Sequence, residues 1–101
     1  MNRFTSKELY MMNGGNKLYI YTDGFGDIYQ ATAAEEEVWK QEYITKKLDQ
    51  IDNETNIVVL NFAIKSLRFH QYPALNSLLI SKINEPNISP ERKLVFESAL
   101  K

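Results

Sequence analysis

The densest cluster of chemically capable side chains is the run Arg68-Phe69-His70-Gln71-Tyr72. His70, the one histidine of the chain, could act as a general base with Arg68 as an anion clamp. No serine or aspartate lies at a spacing that identifies a partner for this histidine. Because the dipole at a helix C-terminus favours a histidine without any catalysis, we interpret the cluster as a structural helix end.

Two groups of carboxylates offer a second kind of chemistry. Asp23 and Asp27 flank a glycine-rich loop, and the triplet Glu35–Glu37 precedes Glu42. A Ca²⁺ loop needs six to eight oxygen ligands and a further acidic ligand at a fixed offset, and turn geometry already explains the glycines. Consecutive acidic residues at a helix start point in different directions and are usually solvated. With no cysteine and one histidine, we predict no metal site, no cofactor and no catalytic residues.

Aromatic residues in the first half of the chain form a more informative set. This set comprises Tyr19, Tyr21, Phe25, Tyr29, Trp39 and Tyr43. Large aromatic side chains dominate the energetic centres of protein interfaces, and half-buried packing is the alternative role for the same residues. Stacking on single-stranded nucleic acid requires interleaved basic residues, whereas the two predicted strands contain only Lys17.

Composition limits the classes of function. The 101 residues are enough for one compact domain, and 12 basic against 13 acidic residues argue against a nucleic-acid binder. No apolar run is long enough to span a membrane and the N-terminus is not a secretory signal, so we expect a cytoplasmic protein. Residues 1–56 carry six basic and ten acidic side chains, whereas residues 57–101 carry six basic and three acidic ones. Such asymmetry can orient a partner or a second copy of the chain.

The first third of the chain predicts a short helix followed by a β-hairpin. Thr5 and Glu8 have the spacing of a capping box, and the run Asn13–Asn16 contains two glycines that favour a helix end. Alternating aromatic and β-branched residues over 17–32 predict two strands, with Thr22 opposite Asp27. A type I′ turn at Asp23-Gly24 would give a different pairing.

The remaining residues predict four helices. A second capping box, Thr32 with Glu35, opens a helix to about Ile51, whose apolar stripe includes Val38. Asp52-Asn53 then ends this helix and can cap the next. The later helices are predicted over Glu54–His70, over Pro73 to about Asn84, and from an N-cap at Ser89 with Pro90 in the first turn. In the last helix, Leu94, Val95 and Leu100 are expected to face inward.

The C-terminal half resembles a HEAT-type helical repeat over about residues 54–101. The resemblance rests on three runs: Pro73-Ala74-Leu75 with Leu78-Leu79, then Ile83-Asn84-Glu85-Pro86, then Arg92, Phe96 and Ser98-Ala99-Leu100. It amounts to about one and a half repeats, whereas a solenoid normally needs at least three. A small helical packet capped by a hairpin therefore fits better than a solenoid. The resemblance implies a protein-binding scaffold without inherited catalytic residues.

Together these patterns predict an α+β fold in one domain over 1–101. Residues 1–32 would form the short helix and hairpin, and residues 33–101 an antiparallel bundle of about three longer helices. We expect a non-enzymatic protein–protein interaction module of inhibitory or immunity type, which binds a protein partner and neither membrane nor nucleic acid. The expected binding residues are Tyr19, Tyr21, Phe25, Glu35, Glu36 and Trp39. One alternative is a regulatory or structural homodimer joined through its C-terminal helix, and another is a small enzyme centred on His70 and Arg68.

Overall fold

The computed structural model describes residues 5–18, 21–22, 28–29 and 31–101. Its elements in chain order are α1 (Ser6–Met12), β1 (Tyr21–Thr22), β2 (Ile28–Tyr29), α2 (Ala33–Asn53), α3 (Ile57–Phe69), α4 (Leu75–Ile83) and α5 (Pro90–Ala99). The chain divides into two compact units, which we call unit 1 (Met1–Lys46) and unit 2 (Lys47–Lys101). The organisation as one domain stays a prediction.

The predicted α+β class, with an N-terminal β-hairpin packed on helices, is wrong, because every element longer than two residues in the described part of the chain is a helix. Within the described residues, β1 and β2 pair antiparallel over two positions, Tyr21 with Tyr29 and Thr22 with Ile28. The expected register placed Thr22 opposite Asp27, so the pairing is shifted by one residue. A pairing of two positions is too short to form a sheet layer. The predicted turn between them lies outside the described residues.

The predicted ends of α1 are confirmed. The side chain of Thr5 accepts a hydrogen bond from the backbone N–H of Glu8 at 3.1 Å, and Glu8 accepts one from the backbone of Thr5 at 3.3 Å. At the other end, Gly14 and Gly15 have φ values of 74° and 72°. Their N–H groups bond to carbonyls in the last turn of α1, both at 3.1 Å, which satisfies acceptors that a helix end leaves open.

Local signals also place the starts of α2 and α5. Thr32 and Glu35 form the second capping box, with both hydrogen bonds at 3.1 Å. Ser89 caps α5 and Pro90 occupies its first turn, as predicted.

The starts of α3 and α4 differ from the sequence prediction. The N-cap of α3 is Asn56, whose side chain accepts hydrogen bonds from two backbone N–H groups of the first turn. The predicted cap, Asp52-Asn53, instead forms the last two residues of α2, which continues to Asn53. In α4, Pro73 precedes the helix, and the N-cap position of Ala74 has no side-chain hydrogen bond.

The core of unit 2 is formed by apolar side chains from α2, α3, α4 and α5. Its members are Ile51, Leu60, Ala63, Ile64, Leu67, Leu75, Leu79, Val95 and Phe96. In α5 the expected inward set is wrong in part, because Leu94 and Leu100 are exposed and Phe96 is fully buried. Positions 95 and 96 share the helix face turned to the core, whereas position 94 is rotated away from it.

Arg92 links the end of α2 to α5 inside unit 2. Its guanidinium donates to the backbone carbonyls of Ile51 at 2.7 Å and Glu54 at 2.5 Å. The same group lies 5.4 Å from the ring centroid of Phe96. Arg92 therefore satisfies carbonyls that the C-terminus of α2 leaves without an intrahelical partner.

Candidate interaction surface on helix α3

Helix α3 carries apolar side chains on two opposite faces. One face contributes Leu60, Ile64 and Leu67 to the core, as their spacing predicts. On the other face, Val58, Phe62 and Phe69 are 77%, 57% and 70% exposed. Separations of four and seven residues bring these three side chains onto one line along the helix. We call this line the α3 stripe.

Basic side chains accompany the α3 stripe. The ammonium nitrogen of Lys47 lies 5.1 Å from the ring centroid of Phe62, which places a cation against an exposed aromatic face. Lys65 is exposed and lies between Phe62 and Phe69 along the helix. A shallow depression lined by Val58, Asn61, Phe62 and Lys65 joins the apolar and basic parts of this surface.

Beside the stripe, α3 and α5 enclose a half-open cavity of about 290 Å³, which we call the α3–α5 hollow. Its lining consists of Asn61, Ile64, Lys65, Arg68, Ser98, Ala99 and Lys101. Three of these residues have cationic side chains and none has an acidic side chain. The hollow shares Asn61 and Lys65 with the stripe's depression, so the two features form one continuous surface.

Arg68 is fixed in the hollow by neutral acceptors. Its Nη2 donates to Oδ1 of Asn76 at 3.0 Å and to the backbone carbonyl of Ala99 at 2.8 Å. The amide of Asn76 donates in turn to the carbonyl of Lys101 at 3.1 Å. Arg68 therefore caps the C-terminus of α5 and, across the part of the chain that the structure describes, forms no ion pair.

Among the predicted aromatic binding residues, only Trp39 has a described side chain. Tyr19 and Phe25 lie outside the described residues, and for Tyr21 the structure gives only the backbone pairing with Tyr29. Trp39 is half-buried, and its ring packs against that of the buried Tyr10 at 5.6 Å with a 57° tilt. Trp39 therefore contributes to packing within unit 1.

The predicted acidic binding residues lie in the first turn of α2. Glu35 is exposed and forms the capping box with Thr32, whereas Glu36 is half-buried. In the same unit, Glu42 forms an ion pair with Lys7. The N-terminal end of the helix dipole favours the carboxylates of Glu35 and Glu36 in the first turn of α2.

His70 occupies the C-cap of α3. Its backbone N–H bonds to the carbonyl of Ser66 at 3.0 Å, and its ring lies perpendicular to that of Phe69 with 5.4 Å between the centroids. Arg68 forms its hydrogen bonds with Asn76 and α5, as described above. A catalytic role for His70 and Arg68 stays a prediction.

Sequence reasoning missed the α3 stripe, although a signal for it was present. Val58, Phe62 and Phe69 repeat at helical spacing on the side opposite Leu60 and Leu67. A helix can bury both sides only when other elements cover both. The hollow had no comparable signal, because its residues lie up to 40 positions apart in the sequence.

Comparison of the chain with protein-family models, with curated proteins and with solved structures finds no significant match. Among the described residues, no group of three or more His, Asp or Glu side chains is placed to hold a metal ion. The described helices include none that combines the length and apolar character of a membrane span.

Proposed function

We propose that the protein is a non-enzymatic module that binds a protein partner through the α3 stripe. The observation that carries this proposal is the exposure of Val58, Phe62 and Phe69 on a helix whose opposite face is core. Contiguous exposed apolar side chains bordered by polar ones mark interaction sites in proteins. A helix or groove of a partner that covers the stripe would remove these side chains from water.

The charges around the stripe favour one kind of partner. Lys47 and Lys65 border Phe62, and residues 57–101 carry six basic against three acidic side chains. A partner segment with apolar residues on one face and acidic residues beside them would match both features. Two copies of this chain that met through the same stripe would bring lysine against lysine, which opposes a symmetric dimer there. The occupant is therefore an acidic amphipathic segment of another protein.

The alternative of a homodimer joined through the C-terminal helix needs exposed apolar residues on α5. Val95 is buried in the core of unit 2, so it is not available to pair with a second copy. Leu94 is exposed and stays available.

Other features of the sequence support the same class of function without locating the surface. The HEAT-type resemblance of residues 54–101 implies a protein-binding scaffold. An inhibitory or immunity-type role stays a prediction, as does binding through Tyr19, Tyr21 and Phe25 with the acidic start of α2. These residues belong to unit 1, so variants can separate them from the α3 stripe.

A pair of model peptides tests the proposal. Both carry leucines along one face of a helix, and the flanking positions are glutamate in one peptide and lysine in the other. We expect the acidic peptide to shift the NMR signals of α3 saturably and to bind at least ten times more tightly than the basic one. The double variant Phe62→Ser with Phe69→Ser should lose this binding and keep its fold, because both side chains are exposed.

Ile80→Ser is the matched control, because Ile80 is a half-exposed apolar residue on α4, outside the stripe. It should bind the acidic peptide as the unchanged protein does. Equal affinity for the two peptides, no binding of either, or binding unaffected by the double variant would each contradict the proposal.

A further inference from the structure

We propose that the α3–α5 hollow binds a phosphate group. The inference rests on the hollow itself and does not depend on the proposed protein partner. Lys65, Arg68 and Lys101 contribute three cationic side chains to the lining of one cavity, and no lining residue has an acidic side chain. Converging cations together with neutral donors are the usual composition of a phosphate site.

Arg68 is the part of the hollow that is already ordered for a ligand. Two hydrogen bonds hold Nη2, both to neutral acceptors, so they fix the guanidinium without neutralising it. Its remaining N–H groups have no partner among the described residues. A half-buried cation without a counter-ion is unfavourable, and an anion in the hollow would compensate it. Because the guanidinium is held in advance, less side-chain entropy is lost on binding.

The other lining residues indicate a dianion rather than a carboxylate. Lys65, Lys101, Asn61 and Ser98 also line the cavity, and each has a side chain that can donate hydrogen bonds. A phosphate monoester carries close to two negative charges and three acceptor oxygens, whereas a carboxylate carries one charge and two oxygens. The C-terminal dipole of α5 opposes an anion here, and Arg68 offsets it by bonding to the Ala99 carbonyl.

The size of the hollow limits what it can hold. A volume of about 290 Å³ lies at the lower end of the range of small-molecule pockets, roughly 300–1,000 Å³. The hollow therefore suits a phosphate group with a short attachment better than a large cofactor. The group could belong to a phosphorylated side chain of a protein or to a small phosphorylated molecule, since both present the same chemistry.

Titration with inorganic phosphate at constant ionic strength, followed by NMR, tests the site. We expect saturable shifts of the Arg68 side-chain Nε–H signal and of the Ser98 and Ala99 amides. Lys65→Gln should weaken the affinity at least threefold, and its combination with Lys101→Gln at least tenfold. Both lysines are exposed, so these variants should keep the thermal stability of the unchanged protein.

Lys93→Gln is the matched control, because it removes the same charge from an exposed position of α5 outside the hollow. Its phosphate affinity should equal that of the unchanged protein. Shifts that do not saturate, equal weakening in the Lys93 and Lys65 variants, or acetate binding as tightly as phosphate would overturn the proposal.

Two further ligands identify the source of the phosphate. One is a short neutral peptide that contains phosphoserine, and the other is glycerol 3-phosphate. Tighter binding of the peptide supports a site for a phosphorylated protein, and tighter binding of glycerol 3-phosphate supports a site for a small molecule. Failure of both to bind saturably would contradict the site, independently of any result with the amphipathic peptides.

Discussion

In unit 2 the buried side chains are aliphatic or phenyl and come from four helices, whereas the buried residues described in unit 1 are Tyr10, Gly15 and Tyr43. Unit 2 therefore gains its stability mainly from apolar area removed from water. The stability of unit 1 depends more than that of unit 2 on capping hydrogen bonds and on the close packing of Gly15 against the Tyr43 ring. The difference shows how one short chain combines cooperative core packing with local interactions.

Two helix ends repeat this contrast. After α1 and after α3, the chain forms the same pair of hydrogen bonds back to the last helical turn. The left-handed position is Gly14 after α1, with φ of 74°, but it is Gln71 after α3, with φ of 57°. A side chain is strained in this region and glycine is not. Unit 2 therefore tolerates a strained Gln71 at the helix-end position where unit 1 has Gly14.

The largest effect is expected in the core of unit 2. Phe96→Ala should lower the free energy of unfolding by about 4 kcal/mol, because it leaves a cavity where a fully buried ring was. Leu94→Ala, two residues away on the exposed side of α5, should cost less than about 1 kcal/mol. Chemical denaturation measures both, and equal losses for the two variants would show that the core is not centred on Phe96.

The next effect tests the close approach in unit 1. A Cβ atom at Gly15 would lie 2.8 Å from two ring carbons of Tyr43, and φ is 72°. Gly15→Ala should therefore cost about 2–3 kcal/mol through a steric clash and backbone strain. Gly14→Ala adds similar strain but meets its nearest atom, in the Asn16 side chain, at 3.4 Å. Thermal unfolding that ranks Gly14→Ala as the more damaging change would contradict this geometry.

A stabilising change is expected at the end of α3. Gln71→Gly should raise the free energy of unfolding by about 0.5–1 kcal/mol, because glycine adopts the left-handed region without strain. Gln71→Ala keeps a Cβ atom and should give no such gain. The comparison of the two variants in urea isolates the backbone effect from the loss of the glutamine side chain.

The smallest effect is electrostatic. The hydrogen bond that Lys82 donates to Asp52, with further support from Glu85 at 3.1 Å, raises the pKa of Lys82 above its ordinary value against the opposing effect of burial. Because the folded-state pKa is raised, this stabilisation is complete below the ordinary lysine pKa and is lost as the pH rises through the folded-state value.

Asp52→Asn should therefore cost about 0.5 kcal/mol at neutral pH and low salt, since Asp52 is half-exposed. The difference from the unchanged protein should shrink above about pH 11 and in about 1 M salt. Stability curves measured against pH check the sign. A difference that grew at high pH would contradict the assignment of Lys82 as the partner.

The features that the sequence predicts correctly depend on neighbouring residues. Both capping boxes, the glycine end of α1 and the Ser89 cap need only side chains within four positions. The α+β class was wrong because the alternating aromatic residues after Lys17 indicate strands but do not indicate how many residues of the two strands will pair. The inward set of α5 was wrong in part because several apolar positions compete for one face.

The candidate sites required tertiary information. The sequence offers Arg68 as a candidate anion clamp, but its fixed position depends on Asn76 and on Ala99, 31 positions away. The exposure of Phe62 depends on which elements cover α3. The periodicity of α3 alone does not specify those elements. Sequence patterns therefore identified capable residues, and packing decided which of them share a surface.

Site-specific photo-crosslinking in the cells that produce the protein tests the central claim most directly. A photoreactive phenylalanine at position 62 or 69 should form crosslinks to a distinct protein, and an excess of the acidic amphipathic peptide should suppress them. The same probe at Ile80 should form none of these crosslinks. Crosslinks of equal yield at all three positions, or crosslinks to a second copy of this chain alone, would contradict a partner-binding surface on α3.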